Sequence, residues 1–124
     1  MATEDDVRRI ALALPETIEK PWFNSPGFRV KDKGFLRIRS EAEGALVCFV
    51  ADLDEKEALL AADERRFFTT SHYDGHPTVL VRLEEVDADE LAELITESWL
   101  NKAPARVRKA FLAAQADADG GDAG

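Results

Sequence analysis

Basic residues occupy alternate positions in two neighbouring strand-like segments of the chain. Alternate residues of a β-strand share a face, so such a hairpin would present cations on one side and apolar residues such as Phe28 and Ile38 on the other. A set of cations on one face suits contact with nucleic-acid phosphates, as in a DNA-binding wing. The alternative is a solvated outer face that offsets acidic charge elsewhere. The basic residues are Arg29, Lys31, Lys33, Arg37 and Arg39, and we call the segment that carries them the basic hairpin.

The segment 69–77, Thr-Thr-Ser-His-Tyr-Asp-Gly-His-Pro, holds both histidines and the single tyrosine of the chain. Imidazole and phenol groups in a turn suit ligand contact or general acid–base work. The candidate contacts are His72, Tyr73 and His76, and Trp22, in a proline-containing loop, could close a small pocket with them. The alternative is that Tyr73 packs into the protein while the histidines make hydrogen bonds that shape the loop.

The same segment does not have the pattern of a metal site. Two histidines four residues apart share a face only in a helix, and Gly75 and Pro77 argue against a helix here. The Asp74-Gly75 pair instead predicts a hairpin turn. Glycine-rich nucleotide loops, the Gly-x-Ser-x-Gly elbow and the His-Glu-x-x-His zinc motif do not occur in the chain. We therefore predict no metal, no cofactor and no assigned catalytic residue, and we favour a protein that is not an enzyme.

Four helices and five strands are predicted around these residues, in the order α-β-β-β-α-β-β-α-α. Thr3 and Asp6 have the spacing of a capping box at the start of the first helix, which ends at Pro15. Asp52 and Asp87 are the predicted caps of the second and third helices. Short turns between strands imply an antiparallel five-stranded sheet, and helices packed on it give a two-layer α+β sandwich. The predicted strands span residues 28–31, 35–40, 45–51, 67–71 and 78–86.

The composition is that of one globular domain. The chain has 124 residues, of which 45% are hydrophobic and 33% charged. We assign residues 1–116 to the domain and predict that the acidic, glycine-containing segment 117–124 is a disordered tail. A lone cysteine, Cys48, an acidic N-terminus and the lack of a long apolar run predict a cytoplasmic protein outside the membrane. The net charge of −9 argues against nucleic-acid binding by the whole surface, but it allows a local basic patch.

The order and spacing of several short segments resemble the MmcQ/YjbR family of small bacterial proteins. The resemblance covers roughly residues 7–108. It implies an α/β fold related to CyaY-like and secretion-chaperone-like folds, and DNA binding through a double-wing arrangement. The family supplies no agreed catalytic residues to carry over. The matching segments are ALALPE at 11–16, EKPWF at 19–23, FRV at 28–30, KGF at 33–35, LLAAD at 59–63, HYDGHP at 72–77, VLVRL at 79–83, SW at 98–99 and AP at 103–104.

Three functions follow from these patterns. The first is a non-enzymatic protein that binds DNA through the basic hairpin, as the family resemblance implies. The second is a protein- or small-molecule-binding module of the secretion-chaperone-like kind, which would use an apolar groove or sheet edge. The third is an enzyme that uses the polar groups of the 69–77 segment. The sequence leaves the oligomeric state open.

Overall fold

A computed structural model describes residues 1–21, 25–39 and 44–121. In these residues a six-stranded antiparallel sheet has the strand order β1-β2-β3-β4-β6-β5. Two short 3₁₀ segments, Ser71–Tyr73 and Leu83–Glu85, flank the last strand. The elements are α1 (Glu4–Leu12), β1 (Thr17–Glu19), β2 (Gly27–Val30), β3 (Lys33–Arg39), β4 (Ala45–Phe49), α2 (Leu53–Ala62), β5 (Phe67–Phe68), β6 (Thr78–Arg82), α3 (Ala88–Lys102) and α4 (Ala105–Gly121).

The predicted α+β class and antiparallel sheet are confirmed, but the predicted count of five strands is wrong. The additional strand, β1, has three residues and pairs along one side only, with β2. None of its residues is buried, so it has no apolar alternation for a sequence pattern to detect. Backbone pairing with β2, such as Thr17 opposite Val30, holds it at the sheet edge.

Short polar side chains start the helices as their positions predict. Thr3 and Asp6 form the complete capping box of α1, each side chain accepting a hydrogen bond from the other residue's backbone N–H. Asp52 accepts from the Glu55 N–H at 2.9 Å, and Asp87 caps α3 in the same way. These contacts satisfy N–H groups that lack partners in a helix's first turn.

The two faces of the sheet are covered differently. On the helix face, apolar residues of the central strands, such as Ile38 and Cys48, join α1 and α3 in the main core. Trp99 of α3 is fully buried there, and its indole N–H donates to the Pro15 carbonyl at 3.1 Å. On the other face, a smaller apolar cluster consists of Ala45, Val47, Leu80 and Tyr73, with Phe68 packed against it. No α-helix of the described residues contributes to that cluster, and we call this side of the sheet the open face.

The C-terminal helix packs on the helix side of the domain. The Phe111 ring lies 4.9 Å from the Trp99 ring, measured between centroids, and Val107 belongs to the main core. The helix continues to Gly121, past residue 116, which is the predicted end of the domain, and residues 122–124 lie outside the described residues. In the described part of the chain, no helix combines the length and apolar character needed to span a bilayer.

Candidate functional site

Cross-strand register brings arginines together on the open face. Directly opposed residues of an antiparallel pair project on the same side of the sheet. Ala45 lies between Arg39 on one neighbouring strand and Arg82 on the other. In the next row, Arg37 lies opposite Val47. Three guanidinium groups from two non-adjacent strands therefore share this face.

A β-bulge between β2 and β3 determines which cations of the basic hairpin lie on the open face. Phe28 pairs with Leu36 but Arg29 pairs with Gly34, so β3 has one extra residue, Phe35. Phe35 and Leu36 are both fully buried. A bulge of this kind shifts the alternation of the strand by one residue. Arg29, which alternates with Phe28, stays on the open face with Arg37 and Arg39.

The predicted single-faced set of five cations is therefore wrong for two residues. Lys33 lies opposite Val30, on the helix side, because the bulge inverts its side of the strand. Lys31 lies in the two-residue turn, where it and Asp32 both have positive φ angles of 48° and 68°. Its ammonium group pairs with the Glu16 carboxylate at 2.9 Å and lowers the pKa of that carboxyl. Strand alternation does not extend through such a turn.

The 69–77 turn folds onto the same face. The Tyr73 ring packs in the cluster with Val47 and Leu80, and its hydroxyl lies 3.1 Å from the donating Arg37 Nη1. The Arg39 guanidinium lies 6.0 Å from the centre of the Tyr73 ring. His72 meets the same ring edge-on, with 4.9 Å between centroids. The structure thus joins the two regions that the sequence offered as separate candidates.

A buried lysine holds the turn in place. Lys56 of α2 is 6% exposed, and its ammonium group donates to the carbonyls of Tyr73 at 2.6 Å and His76 at 2.9 Å. Burial lowers the pKa of Lys56, and the nearby carboxylate of Asp74 opposes that effect. No motif in the sequence singles out Lys56. Its spacing from Leu59, three residues later on the helix, is the signal that could have identified it.

A pocket of about 200 Å³ lies between the turn and the open face. The floor and walls are mostly apolar and aromatic. Thr78 also lines it; this residue is 2% exposed, and its hydroxyl has no hydrogen-bond partner among the described residues. We call this the turn pocket. It is lined by Arg37, Val47, Phe49, His72, Tyr73, His76, Pro77 and Thr78.

Arg82 is the functional candidate that sequence reasoning missed. Its guanidinium carbon lies 4.0 Å from the centre of the Phe68 ring, within the range of a cation–π contact. Alternation along β6 places Arg82 on the opposite side of the strand from Val81, and the sequence pattern alone predicts this. Its proximity to Arg39 depends on the strand order, with β4 between β3 and β6.

Trp22 and the two histidines of the 69–77 turn are the remaining residues that the sequence suggests for ligand contact. Trp22, the predicted partner of the turn, lies outside the described residues. Over residues 1–21, 25–39 and 44–121, no group of three or more His, Cys, Asp or Glu side chains is arranged to hold a metal ion. The histidines of the turn are instead exposed at the rim of the pocket.

Comparisons with known proteins agree on the kind of domain. A family model described as YjbR matches residues 12–101. Uncharacterised proteins of Mycobacterium tuberculosis and Mycobacterium bovis are 40% identical over 126 residues, covering 91% of this chain and 98% of each relative. A crystal structure of a Deinococcus radiodurans protein with a DUF419 domain matches with a TM-score of 0.68 and 26% identity. That match covers 81% of this chain and 78% of the other.

Proposed function

This chain belongs to the YjbR family, and we propose that it is a non-enzymatic protein that binds DNA phosphates with the open face of its sheet. One observation carries the proposal. Arg29, Arg37, Arg39 and Arg82 lie on a single face that no α-helix of the described residues covers. This surface differs from the basic hairpin predicted from sequence, since it excludes Lys31 and Lys33 and includes Arg82.

The acidic balance of the chain does not oppose a local contact of this kind. The net charge is −9, but charges separated by more than about 10 Å are largely screened at 0.1 M salt. Within the described residues, neither Arg39 nor Arg82 has a carboxylate within the 4.0 Å of a salt bridge. No salt bridge within the described residues neutralises these two guanidinium groups, which supports their contact with an external phosphate, while acidic residues elsewhere disfavour other orientations of the protein on DNA.

The guanidinium groups are also held in position before any ligand arrives. Arg82 stacks on Phe68, and Arg37 donates to the hydroxyls of Tyr73 at 3.1 Å and Ser25 at 3.4 Å. Side chains that are already ordered lose less conformational entropy on binding. Planar guanidinium groups also match the two-oxygen geometry of a phosphate.

Fluorescence anisotropy of a labelled DNA duplex tests the proposal directly. We expect binding at 50 mM salt that weakens steeply by 200 mM. Replacing two cations of the face, Arg39→Gln with Arg82→Gln, should reduce the slope of log K against log salt by about 0.9 for each phosphate that the protein no longer neutralises. The matched control, Arg106→Gln with Lys109→Gln, removes two exposed charges from α4 and should leave the slope unchanged. Absence of binding at 50 mM salt to both this duplex and its single strand, or an equal effect of the control pair, would overturn the proposal.

The turn pocket supports small-molecule binding as a second candidate function. It combines apolar walls with the buried Thr78 hydroxyl, which is the usual composition of a ligand site. The protein-binding version has less support, because the large exposed apolar side chains are spread over several elements. Among the residues that the structure describes, they are Met1, Leu12, Ile18, Leu53 and Leu112.

A further inference from the structure

We propose that the turn pocket receives an unpaired nucleobase, so that the open face prefers single-stranded nucleic acid to duplex. The inference rests on the proposed function, and it adds that the preferred nucleic acid is single-stranded. The phosphates of the strand would lie along the arginines, while one base would leave the strand and enter the pocket. Duplex DNA keeps its base faces stacked and its pairing edges occupied, so it offers phosphates but no base for this pocket.

The walls of the pocket suit a flat ring. Phe49, His72 and Tyr73 provide aromatic surface, and Val47 and Pro77 provide aliphatic surface. Proteins that bind single strands commonly hold bases against such aromatic side chains. The Tyr73 ring is fixed by its cluster with Val47, so that part of the wall exists without a ligand.

Thr78 belongs to the lining of the pocket, and its buried hydroxyl is the proposed polar partner of the base. The residue is 2% exposed, and the oxygen has no hydrogen-bond partner among the described residues. A buried hydroxyl without a partner is uncommon, because proteins usually satisfy such groups. A hydroxyl both donates and accepts, so it can pair with an amino group, a ring nitrogen or a carbonyl oxygen of a base. A purely apolar ligand would leave it unsatisfied.

The pocket and the arginines are close enough to act on one nucleotide. Arg37 lines the pocket, and Arg39 follows two residues later on the same strand and face. The rise of a β-strand separates these two backbone positions by about 7 Å. A base in the pocket therefore places its flanking phosphates near two guanidinium groups. The same contacts would also hold a free mononucleotide. The experiment must therefore measure binding of a nucleic-acid strand and of a mononucleotide separately.

The test compares a labelled single strand, the matching duplex and adenosine 5′-monophosphate on the full chain. We expect the single strand to bind more tightly than the duplex at the same salt concentration. Thr78→Val keeps the shape of the side chain but removes the hydroxyl. It should weaken single-strand binding about three- to tenfold, the range for one hydrogen bond, and leave duplex binding within twofold. Arg82→Gln, outside the pocket lining, should weaken both.

Each outcome separates the inference from the proposed function. Equal affinity for single strand and duplex, with both sensitive to Arg82→Gln, would overturn the inference and keep the function. Binding of the mononucleotide that Thr78→Val weakens, without binding of either DNA, would keep the base site and overturn the function. If Thr78→Val does not fold, His72→Ala at the exposed rim replaces it, and an unchanged preference for the single strand in that variant would count against the base site.

Discussion

The Arg37 guanidinium donates a hydrogen bond to the Tyr73 hydroxyl across 3.1 Å, although the two residues are 36 positions apart in the chain. This bond joins strand β3, which carries part of the basic hairpin, to the turn that holds both histidines. It also forms one side of the turn pocket. The arginine face and the turn pocket therefore share the Arg37 side chain, and substitutions at Arg37 or Tyr73 should affect both.

Removal of the Tyr73 hydroxyl should weaken this unit without unpacking it. In Tyr73→Phe the ring stays in its cluster with Val47 and Leu80, but Arg37 loses an acceptor. We expect the free energy of unfolding to fall by about 1.5–3 kcal/mol, as for a hydrogen bond to a charged group. Urea denaturation measures this, and the slope m should not change because the buried surface is the same. A decrease near that of Tyr73→Ala would show that packing, not the bond, had changed.

Lys56 should be required for the shape of the turn. Lys56→Met removes the donor to the carbonyls of Tyr73 and His76 and leaves both acceptors short of a partner. We expect a decrease of roughly 1–3 kcal/mol in the free energy of unfolding. The amide of His76, bonded to the Tyr73 carbonyl, should also exchange with deuterium faster. Glu57→Gln, at an exposed neighbouring position, is the control and should leave both quantities unchanged.

Cys48 should be inert while the protein is folded. It is a buried free cysteine, and desolvation raises its pKa from 9.0 to about 12. Because only the thiolate reacts, a maleimide should label it at pH 7 only when denaturant unfolds the chain. Rapid labelling without denaturant would contradict the buried position.

The same shift gives a pH dependence of stability. The folded pKa of Cys48 lies above that of the unfolded thiol, so the folded state holds this proton more tightly. Its contribution to stability is fully present below about pH 9 and is lost as the pH rises towards 12. Cys48→Ala should remove this part of the alkaline destabilisation, which denaturation curves collected between pH 8 and pH 11 would show.

The cap of α3 should contribute to stability independently of the binding surface. The Asp87 carboxylate accepts from the Glu90 N–H at 2.8 Å. Asp87→Ala should lower the free energy of unfolding by about 1 kcal/mol, whereas Asp87→Asn, which keeps an acceptor, should cost much less. Thermal denaturation measures the difference. Equal decreases for the two variants would mean that the charge, not the hydrogen bond, is what stabilises the helix.

Local patterns predicted the elements well where one short-range rule dominates. The caps at Thr3, Asp52 and Asp87 depend on contacts within three residues of the chain, and all three form. The apolar run of β4 predicted a central strand, and β4 pairs on both sides. Strand β1 was missed because pairing with β2, rather than side-chain burial, defines it.

The candidate site was predicted less completely, because its geometry depends on the phase of a strand. The alternation that grouped Lys33 with Arg37 assumes an uninterrupted period of two residues. The extra residue Phe35 shifts that phase, and the turn at Lys31 interrupts it altogether. Bulge positions depend on how a strand pairs with its neighbour, which the spacing of charges along one segment does not contain.

The sequence by itself determined that this is an α+β domain of the YjbR family, with cations on a hairpin and polar aromatic groups in a turn. Only the tertiary structure decided that the turn lies over the open face, that Arg82 lies across Ala45 from Arg39, and that Lys56 holds the turn from a helix. The physical reason is the range of the interactions. Caps and periodicity act over a few residues, whereas strand order and the bonds from Arg37 to Tyr73 and from Lys56 to the turn join distant parts of the chain.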